Sequence, residues 1–411
     1  MRKIPLPVLA LLMMGAATAV ALVQGGTTFI GGHYRSHRSG PDSARVDAFL
    51  GSLRAADPMV CDMVADQIGN FWTSFGGYGV GLLSDGNRNW EPARDSLYGP
   101  PTDPAALRRL VRGLDDGNAC VRRASAKLLG HGEESSLGAI REGLRSNSAR
   151  IREAAALAAG HAQLAVLHDD LVRATRDENP AVIAMAAWAL GETEQPGAFG
   201  PLRDLTRHTN VRVRRAAVHG LGQIEDQRVA DALIPMLRDE DDGVRAMAAD
   251  GLGDTESLAA VDPLIAALAD LSAAVREAAA ESLGNLEQPR AAPALARAIA
   301  DPERRVRMAA VEALGDLDGL DAAPPELIAA LGGEPELRKA AAEALGNIPD
   351  PRAIDALGRV LSDADPEVRA AVVHALSHID DERVTPHLLR ALKDSHPEVR
   401  KTAAEALGDR K

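Results

Sequence analysis

Apolar and polar residues alternate along this chain with a helical beat, and the beat itself repeats. A Val-Arg-x-x-Ala-Ala-x-x-Leu-Gly cassette recurs with its first apolar residue at Val121, Ile151, Val182, Val213, Val244, Val275, Val306, Leu337, Val368 and Val399. The first step is 30 residues and each later step is 31. A fixed internal period in this range marks a stack of like units rather than ordinary domains. Three residues before the anchor stands a capping residue in most copies (Asn118, Ser148, Asn179, Asn210, Asp241, Ser272, Asp365), whose short polar side chain can accept from an orphan N–H of the first turn. Pro180, Pro335, Pro366 and Pro397 follow at the first helical position, where the missing N–H costs nothing. Alanines after the anchor keep the helix thin, and a leucine stands eight residues on. The glycine after that leucine is expected to stop the helix by turning left-handed.

A turn such as Asp350-Pro351-Arg352 then leads into a second apolar stretch of helical spacing, Ala353 to Leu361. Each unit thus reads as helix A, turn, helix B, with the cassette on helix B. One such unit cannot bury its apolar face alone, but a stack can. A further copy, anchored at Val60, runs from Asp57 to Gly69, and an insertion at about 70–103 separates it from the rest. The expected fold is all-α, an alpha-alpha superhelix: a solenoid of about eleven two-helix repeats over residues 42–411.

This cassette resembles the HEAT-like repeats named after the phycobilisome lyase family, over about nine-tenths of the chain. The resemblance implies a ladder, in which the arginine after each anchor meets an aspartate placed before helix B. The arginines are Arg122, Arg152, Arg214, Arg245, Arg276, Arg307, Arg338, Arg369 and Arg400, with Ile183 breaking the series. The aspartates are Asp116, Asp177, Asp239, Asp270, Asp301, Asp363 and Asp394. A partly buried guanidinium needs a carboxylate partner, so these residues read as structural. Deoxyhypusine hydroxylase shares the repeat and holds iron through His-Glu pairs, but no His-Glu dipeptide occurs here.

Composition adds compartment and charge. Met1-Arg2-Lys3 precedes an uncharged, mostly apolar stretch from Ile4 to Val23. Residues 1–23 therefore read as a secretory signal peptide or, uncleaved, as an N-terminal membrane anchor. Pro5 and Pro7 shorten the helical core, and no cysteine stands near residue 20 to mark a lipoprotein. Residues 24–41 read as a flexible tether. Export to the periplasm or the outer face of the membrane follows, with the membrane engaged only through the uncleaved N-terminal segment. In an oxidising compartment the two cysteines, Cys61 and Cys120, near the starts of successive B helices, are candidates for a disulfide. Neighbouring helices lie about 8–10 Å apart and the bond needs Cα atoms within about 7 Å. It is feasible at the helix ends, and two separately buried small residues remain the alternative. The formal net charge of −13 argues against phosphate contacts and hence against nucleic acid.

Catalytic signatures are missing from the sequence: there is no His-Glu-x-x-His, no phosphate-binding glycine loop and no Gly-x-Ser-x-Gly. No catalytic residue, metal ligand or cofactor is assigned. His374 and His378 share a helix face, with His387 and His396 nearby, yet no further ligand completes a metal site. His131 and His161 read as turn residues.

The position six residues after the anchor varies most: Lys127, Leu157, Trp188, His219, Asp250, Glu281, Glu312, Glu343, His374 and Glu405. Variable positions in a regular repeat face solvent, and B helices line the concave side of a solenoid. The row from Asp250 to Glu343 is acidic and suits a basic or cationic partner. Lys339 and Lys401, four residues before Glu343 and Glu405, are placed to offset it by i,i+4 pairing. Trp188 and His219 join the row as candidate contacts. The insertion carries Phe71, Trp72, Phe75, Tyr78, Trp90 and Tyr98, six of the chain's eleven aromatics. It serves as a second contact surface, as a cap over the open end of the stack, or as both. The sequence thus points to an exported, non-enzymatic scaffold that binds a protein or peptide on its concave helix-B face. The alternatives are a regulatory or accessory module of an envelope enzyme, such as a membrane metallopeptidase or sensor system, and a lyase-type enzyme.

Overall fold

The computed structural model describes residues 42–55, 101–317 and 319–409. Among these residues every regular element is helical and there is no strand. The segments 1–23 and 24–41, residues 70–100 of the insertion, Val60, Cys61, and the aromatics Phe71, Trp72, Phe75, Tyr78, Trp90 and Tyr98 lie outside them. No described helix is long and apolar enough to cross a membrane.

The chain divides into two compact units, residues 1–220 and 221–411. In the first, an opening helix Ser43–Ala55 precedes the pairs Pro104–Gly113 with Ala119–Gly130, Leu137–Leu144 with Ala149–Ala162, and His168–Ala174 with Pro180–Glu192. Phe199–Leu205 follows, and the next helix B, Val211–Gly222, contains the division. In the second unit the pairs are Val229–Leu233 with Asp242–Gly253, Val261–Ala267 with Ala273–Asn285, and Ala292–Ala298 with Arg304–Asp316. Pro325–Ala330 with Pro335–Asn347, Ile354–Val360 with Pro366–His378, and Thr385–Ala391 with Pro397–Asp409 complete it. Helix A is the shorter partner, and a 3-10 turn introduces it in most repeats.

The caps work as the sequence requires, with one variation. Asn118, Asn179, Asp241 and Asp365 accept from first-turn N–H groups at 2.8–3.0 Å. Ser148 and Ser272 also sit at the N-cap, but their hydroxyls donate instead to Asp115 and Asp242 of the preceding repeat, both at 3.2 Å. The core is the register of anchors and leucines. Val121, Val182, Val244, Val275, Val306 and Val368 are buried, as are Leu129, Leu190, Leu252, Leu283, Leu314 and Leu345.

The glycine after the leucine does not do what the sequence reading assigned to it. It is still helical, and the left-handed residue comes three positions later, at Gln163, Glu194, Glu256 and Glu287, with φ of 49–53°. What the glycine provides is room. A Cβ on Gly191 would stand 2.5 Å from the Cα of Gly220, and one on Gly315 would stand 2.9 Å from the Cα of Ala344. Adjacent B helices therefore meet backbone to backbone at this point, and a side chain would force them apart.

Candidate interaction face on helix B and the ladder beneath it

The turn before each helix B fixes where an arginine can reach. In residues 221–411, Arg276 donates Nη1 to the carbonyl of Asp270 in its own turn at 2.8 Å. Its Nε and Nη2 clasp both oxygens of Asp301, one repeat on, at 2.7 and 2.9 Å. Arg245 with Asp270 and Arg369 with Asp394 repeat the fork at 2.8 Å, and Arg338 meets Asp363 at 2.6 Å. Each aspartate also accepts an N–H of its own turn, as Asp270 does from Ser272 at 2.8 Å. One guanidinium thus links two consecutive turns, and the bidentate geometry makes the link directional. The pairs are shielded: the Arg276 and Asp301 side chains are 12% and 9% exposed. Their hydrogen bonds hold the carboxyls of Asp301 and Asp394 below the ordinary range. At Asp270 and Asp363 burial pushes the other way, and the bonds these carboxylates accept from Arg245 and Arg338, together with those from their turn N–H groups, outweigh it.

Three rungs depart from the pattern. Arg122 has Ser146 at the aspartate position of the next turn, and it donates only to the carbonyls of Asp116 and Gly117 in its own turn at 2.7 and 3.1 Å. Arg307 faces a repeat with Gly332 where the aspartate would stand, and it turns to Glu334. In residues 1–220, Arg152 pairs with Asp177 at 2.6 and 2.8 Å, but the next rung is absent on both sides. Ile183 replaces the arginine, and the aspartate position 25 residues on is His208, whose Nδ1 accepts from Asn210 N at 3.0 Å. The break at Ile183 was visible in the sequence, and the structure adds that its opposite position is also altered. Arg214 donates to the carbonyls of His208 and Thr209 at 3.1 and 3.2 Å, and Asp239 accepts from Asp241 N at 2.9 Å.

The position six after the anchor behaves differently in the two units. In residues 1–220 it is not a solvent face. Lys127, Leu157 and Trp188 are buried, Trp188 at 2% exposure. The reading of Trp188 as an exposed contact is corrected here. Its ring lies over Gly160, where a Cβ would come within 2.3 Å, and edge-on to His161 at a centroid distance of 5.4 Å. A large aromatic fits because the preceding repeat offers a glycine opposite it. His161 is correspondingly inside helix Ala149–Ala162 rather than in a turn, and desolvation, with Lys127 and His131 nearby, lowers its pKa to about 3. His219 is only partly exposed and sits 3.4 Å from Glu192 Oε1. Cys120 is buried and disulfide-bonded, while Cys61, the partner expected for it, lies outside the described residues.

In residues 221–411 the same position is exposed at Asp250, Glu281, Glu312, Glu343, His374 and Glu405. Lysine offsets the row in part: Lys339, whose pKa is raised first by its bond to Glu367, is also held charged by Glu343 four residues on. Lys339 Nζ binds Glu367 at 2.7 Å, and Lys401 lies 3.8 Å from Glu398. One turn further along the same helix face stand Asp254, Asn285, Asp316, Asn347 and His378. The charge is unevenly shared: residues 1–220 hold 25 Lys+Arg and 22 Asp+Glu, residues 221–411 hold 21 and 37. The acidity of the chain is thus a property of its second half. His374 and His378 stack at 4.5 Å, and burial together with His378 keeps the His374 pKa low. Among the described residues no group of three His, Cys, Asp or Glu side chains is placed to hold a metal ion.

A chain whose described residues form helical A–B pairs, several of them linked to the next through a turn aspartate and a helix-B arginine, is a helical-repeat protein. The family model for HEAT repeats matches residues 168–253, 231–315, 261–332 and 324–408, more than half of the sequence, and the chain belongs to that family. No curated protein sequence matches it. Among solved structures, that of Kap95p with RanGDP is similar at 14% identity and a TM-score of 0.53, over 97% of this chain and 56% of that chain. Importin beta is similar at 16% identity and a TM-score of 0.52, over 74% of this chain and 50% of that one. The CpcE–CpcF complex of phycocyanin lyase from Nostoc sp. PCC7120 is 21% identical over 59% of this chain and 93% of that one, with a TM-score of 0.35. At such identities the likeness is one of fold.

Proposed function

We propose that this protein is an exported, non-enzymatic scaffold that binds a basic protein or peptide along the helix-B face of residues 221–411. The observation that carries the reading is the exposed acidic row Asp250, Glu281, Glu312 and Glu343, on a half of the chain with a large excess of carboxylates. Such a row steers cationic partners and fixes their register more than it adds raw affinity. Helices stacked about 8–10 Å apart space the carboxylates widely enough for an extended basic segment to meet several in turn. Kap95p, of the same fold, binds a protein, Ran, in keeping with a repeat surface used for protein contact. The disulfide at Cys120 supports an oxidising compartment.

Fluorescence anisotropy of labelled nona-arginine with the full chain tests the binding face. Binding is expected at low salt, weakening steeply as ionic strength rises and falling in the Glu281→Gln/Glu312→Gln double variant. Equal binding of nona-glutamate, or indifference to the double variant, overturns it. Mass analysis of alkylated protein from the native host tests the compartment: alkylation of Cys120 without prior reduction contradicts export.

A further inference from the structure

The acidic row runs into a recess. Residues six and ten after the anchor lie on one face of helix B, so the row of Glu281, Glu312 and Glu343 continues into Asn285, Asp316 and Asn347. There a cavity of about 420 Å³ opens between the C-terminal ends of helices Ala273–Asn285, Arg304–Asp316 and Pro335–Asn347. A volume of this size is in the range of small-ligand pockets.

Its lining is unusual in sign. Asp316 and Glu287 supply carboxylates, Asn285 and Asn347 supply amides, and Leu317, Leu320 and Ile348 form the apolar part. Among the described residues no lysine or arginine lines it. Three helix C-termini meet at the recess, and each presents the negative end of its macrodipole and its last carbonyls. Leu317 leaves its helix in extended conformation (φ −69°, ψ 121°), whereas after the two helices B before it Asp254 and Leu286 stay helical. The space exists because Gly284 and Gly319 carry no side chain. Asp316 Oδ2 lies 3.6 Å from where a Cβ on Gly284 would stand, and Gly319 takes a left-handed φ of 69°. Asn347 is held in place by donating Nδ2 to the Gly315 carbonyl at 3.1 Å. Packing around Asp316 pushes its carboxyl up, with no cation to offset it. A compact cation with an aliphatic stem complements every part of this lining. The carboxylates and helix ends meet its charge, and the partly exposed Leu320, backed by the buried Leu317 and Ile348, meets the stem.

We propose that the recess is a subsite for one arginine side chain of the partner, with Asp316 as the principal counter-charge, Glu287 as the second, and Asn347 as a fixed amide acceptor. The planar guanidinium favours arginine over lysine, because its fork can engage a carboxylate and a neighbouring oxygen together. This inference rests on the acidic-face reading and sharpens it: the row attracts a basic segment, and the recess selects one residue within it.

The test uses the full chain and two probes. N-acetyl-arginine N-methylamide, followed by NMR, is expected to shift the side-chain amides of Asn285 and Asn347, and its citrulline counterpart is not. Asp316→Asn should abolish those shifts and weaken nona-arginine about tenfold, in line with loss of its principal charge partner in the recess. Glu343→Gln, in the row but outside the recess, should weaken nona-arginine while leaving the arginine-derivative shifts intact. Nona-arginine binding insensitive to Asp316→Asn, with no shifts at Asn285 or Asn347, overturns the subsite and leaves the acidic face standing. The converse, recess shifts without nona-arginine binding, overturns the acidic face alone. A citrulline derivative that reproduces the shifts overturns the role of charge.

Discussion

Position six of helix B is a core position in residues 1–220 and a surface position in residues 221–411. In the first unit it holds Lys127, Leu157 and Trp188, all buried, and then the partly exposed His219; in the second it holds Asp250, Glu281, Glu312 and Glu343, all exposed. The cassette around it is nearly the same in both. The ladder does not divide so cleanly: forked rungs stand at Arg152 in residues 1–220 and at Arg245, Arg276 and Arg369 in residues 221–411, and rungs are lost at Ser146 and at Ile183 and His208 in the first and at Gly332 in the second. A repeat register therefore fixes the path of the backbone but not the use of its variable positions. What neighbours a position decides whether it stabilises the unit or meets a partner.

The contrast is most exposed to test at Trp188. Trp188→Ala removes a fully packed ring and leaves a void against Gly160, at a cost of about 3–5 kcal/mol. Glu281→Ala or Glu312→Ala, at the same register, should change stability by about 0.5 kcal/mol or less. Thermal melts of the three variants compare them directly, and a melting point for Trp188→Ala equal to wild type would erase the distinction.

Next in size is the ladder. Arg276→Ala strands the shielded carboxylate of Asp301 and should cost about 1–3 kcal/mol or more. Its pH dependence has a definite sign. The Asp301 carboxyl is depressed in the folded state, so its contribution is fully present above the unfolded value of about 3.9 and lost as pH falls through the lower folded value. The gap between wild type and Arg276→Ala should stay constant from neutral pH down to about pH 5 and close below about pH 4. A gap that widens in acid would refute the pairing.

Smaller effects come from glycine. Gly315→Ala places a Cβ 2.9 Å from the Cα of Ala344 and should destabilise by about 1–3 kcal/mol through overpacking. Gly408→Ala, with nothing within 4 Å, should be stabilising by about 0.5–1 kcal/mol, the helix-propensity gain. Two like substitutions with opposite signs would separate close approach from helix termination, and equal signs would restore the left-handed stop. Smallest on stability is the row itself, where Glu281→Gln should leave the melt unchanged and register only in peptide binding.

The fold was legible because its determinants are local and periodic. Anchor valines, capping residues, first-turn prolines and the arginine–aspartate spacing each repeat at a fixed offset, so every copy reinforces the same assignment. The candidate face on helix B was legible only in part. Glu281, Glu312 and Glu343 read correctly as exposed, because charged side chains are rarely buried without a partner. Trp188 did not, since its burial depends on Gly160 in the neighbouring repeat, 28 residues away. The glycines misled for a related reason: their purpose lies across the helix interface rather than along the chain. The recess at Asp316 carries no sequence signature, because three successive helix ends create it together. A glycine with positive φ at Gly319, where Gln163, Glu194, Glu256 and Glu287 serve one position earlier in the cassette elsewhere, was the available hint.

The absent rung between Ile183 and His208 has a consequence for how the first unit comes apart. A stacked array opens as a one-dimensional chain of coupled neighbours, and a boundary between folded and unfolded repeats settles at its weakest coupling. Where Arg152 grips Asp177, that boundary must break a shielded ion pair to pass. At Ile183 and His208 no arginine–aspartate rung stands in its way and the joint keeps the His219–Glu192 contact at 3.4 Å, so the array holds a weaker coupling there. Hydrogen exchange should show protection changing stepwise across this joint, with the amides on its two sides exchanging as separate cooperative groups.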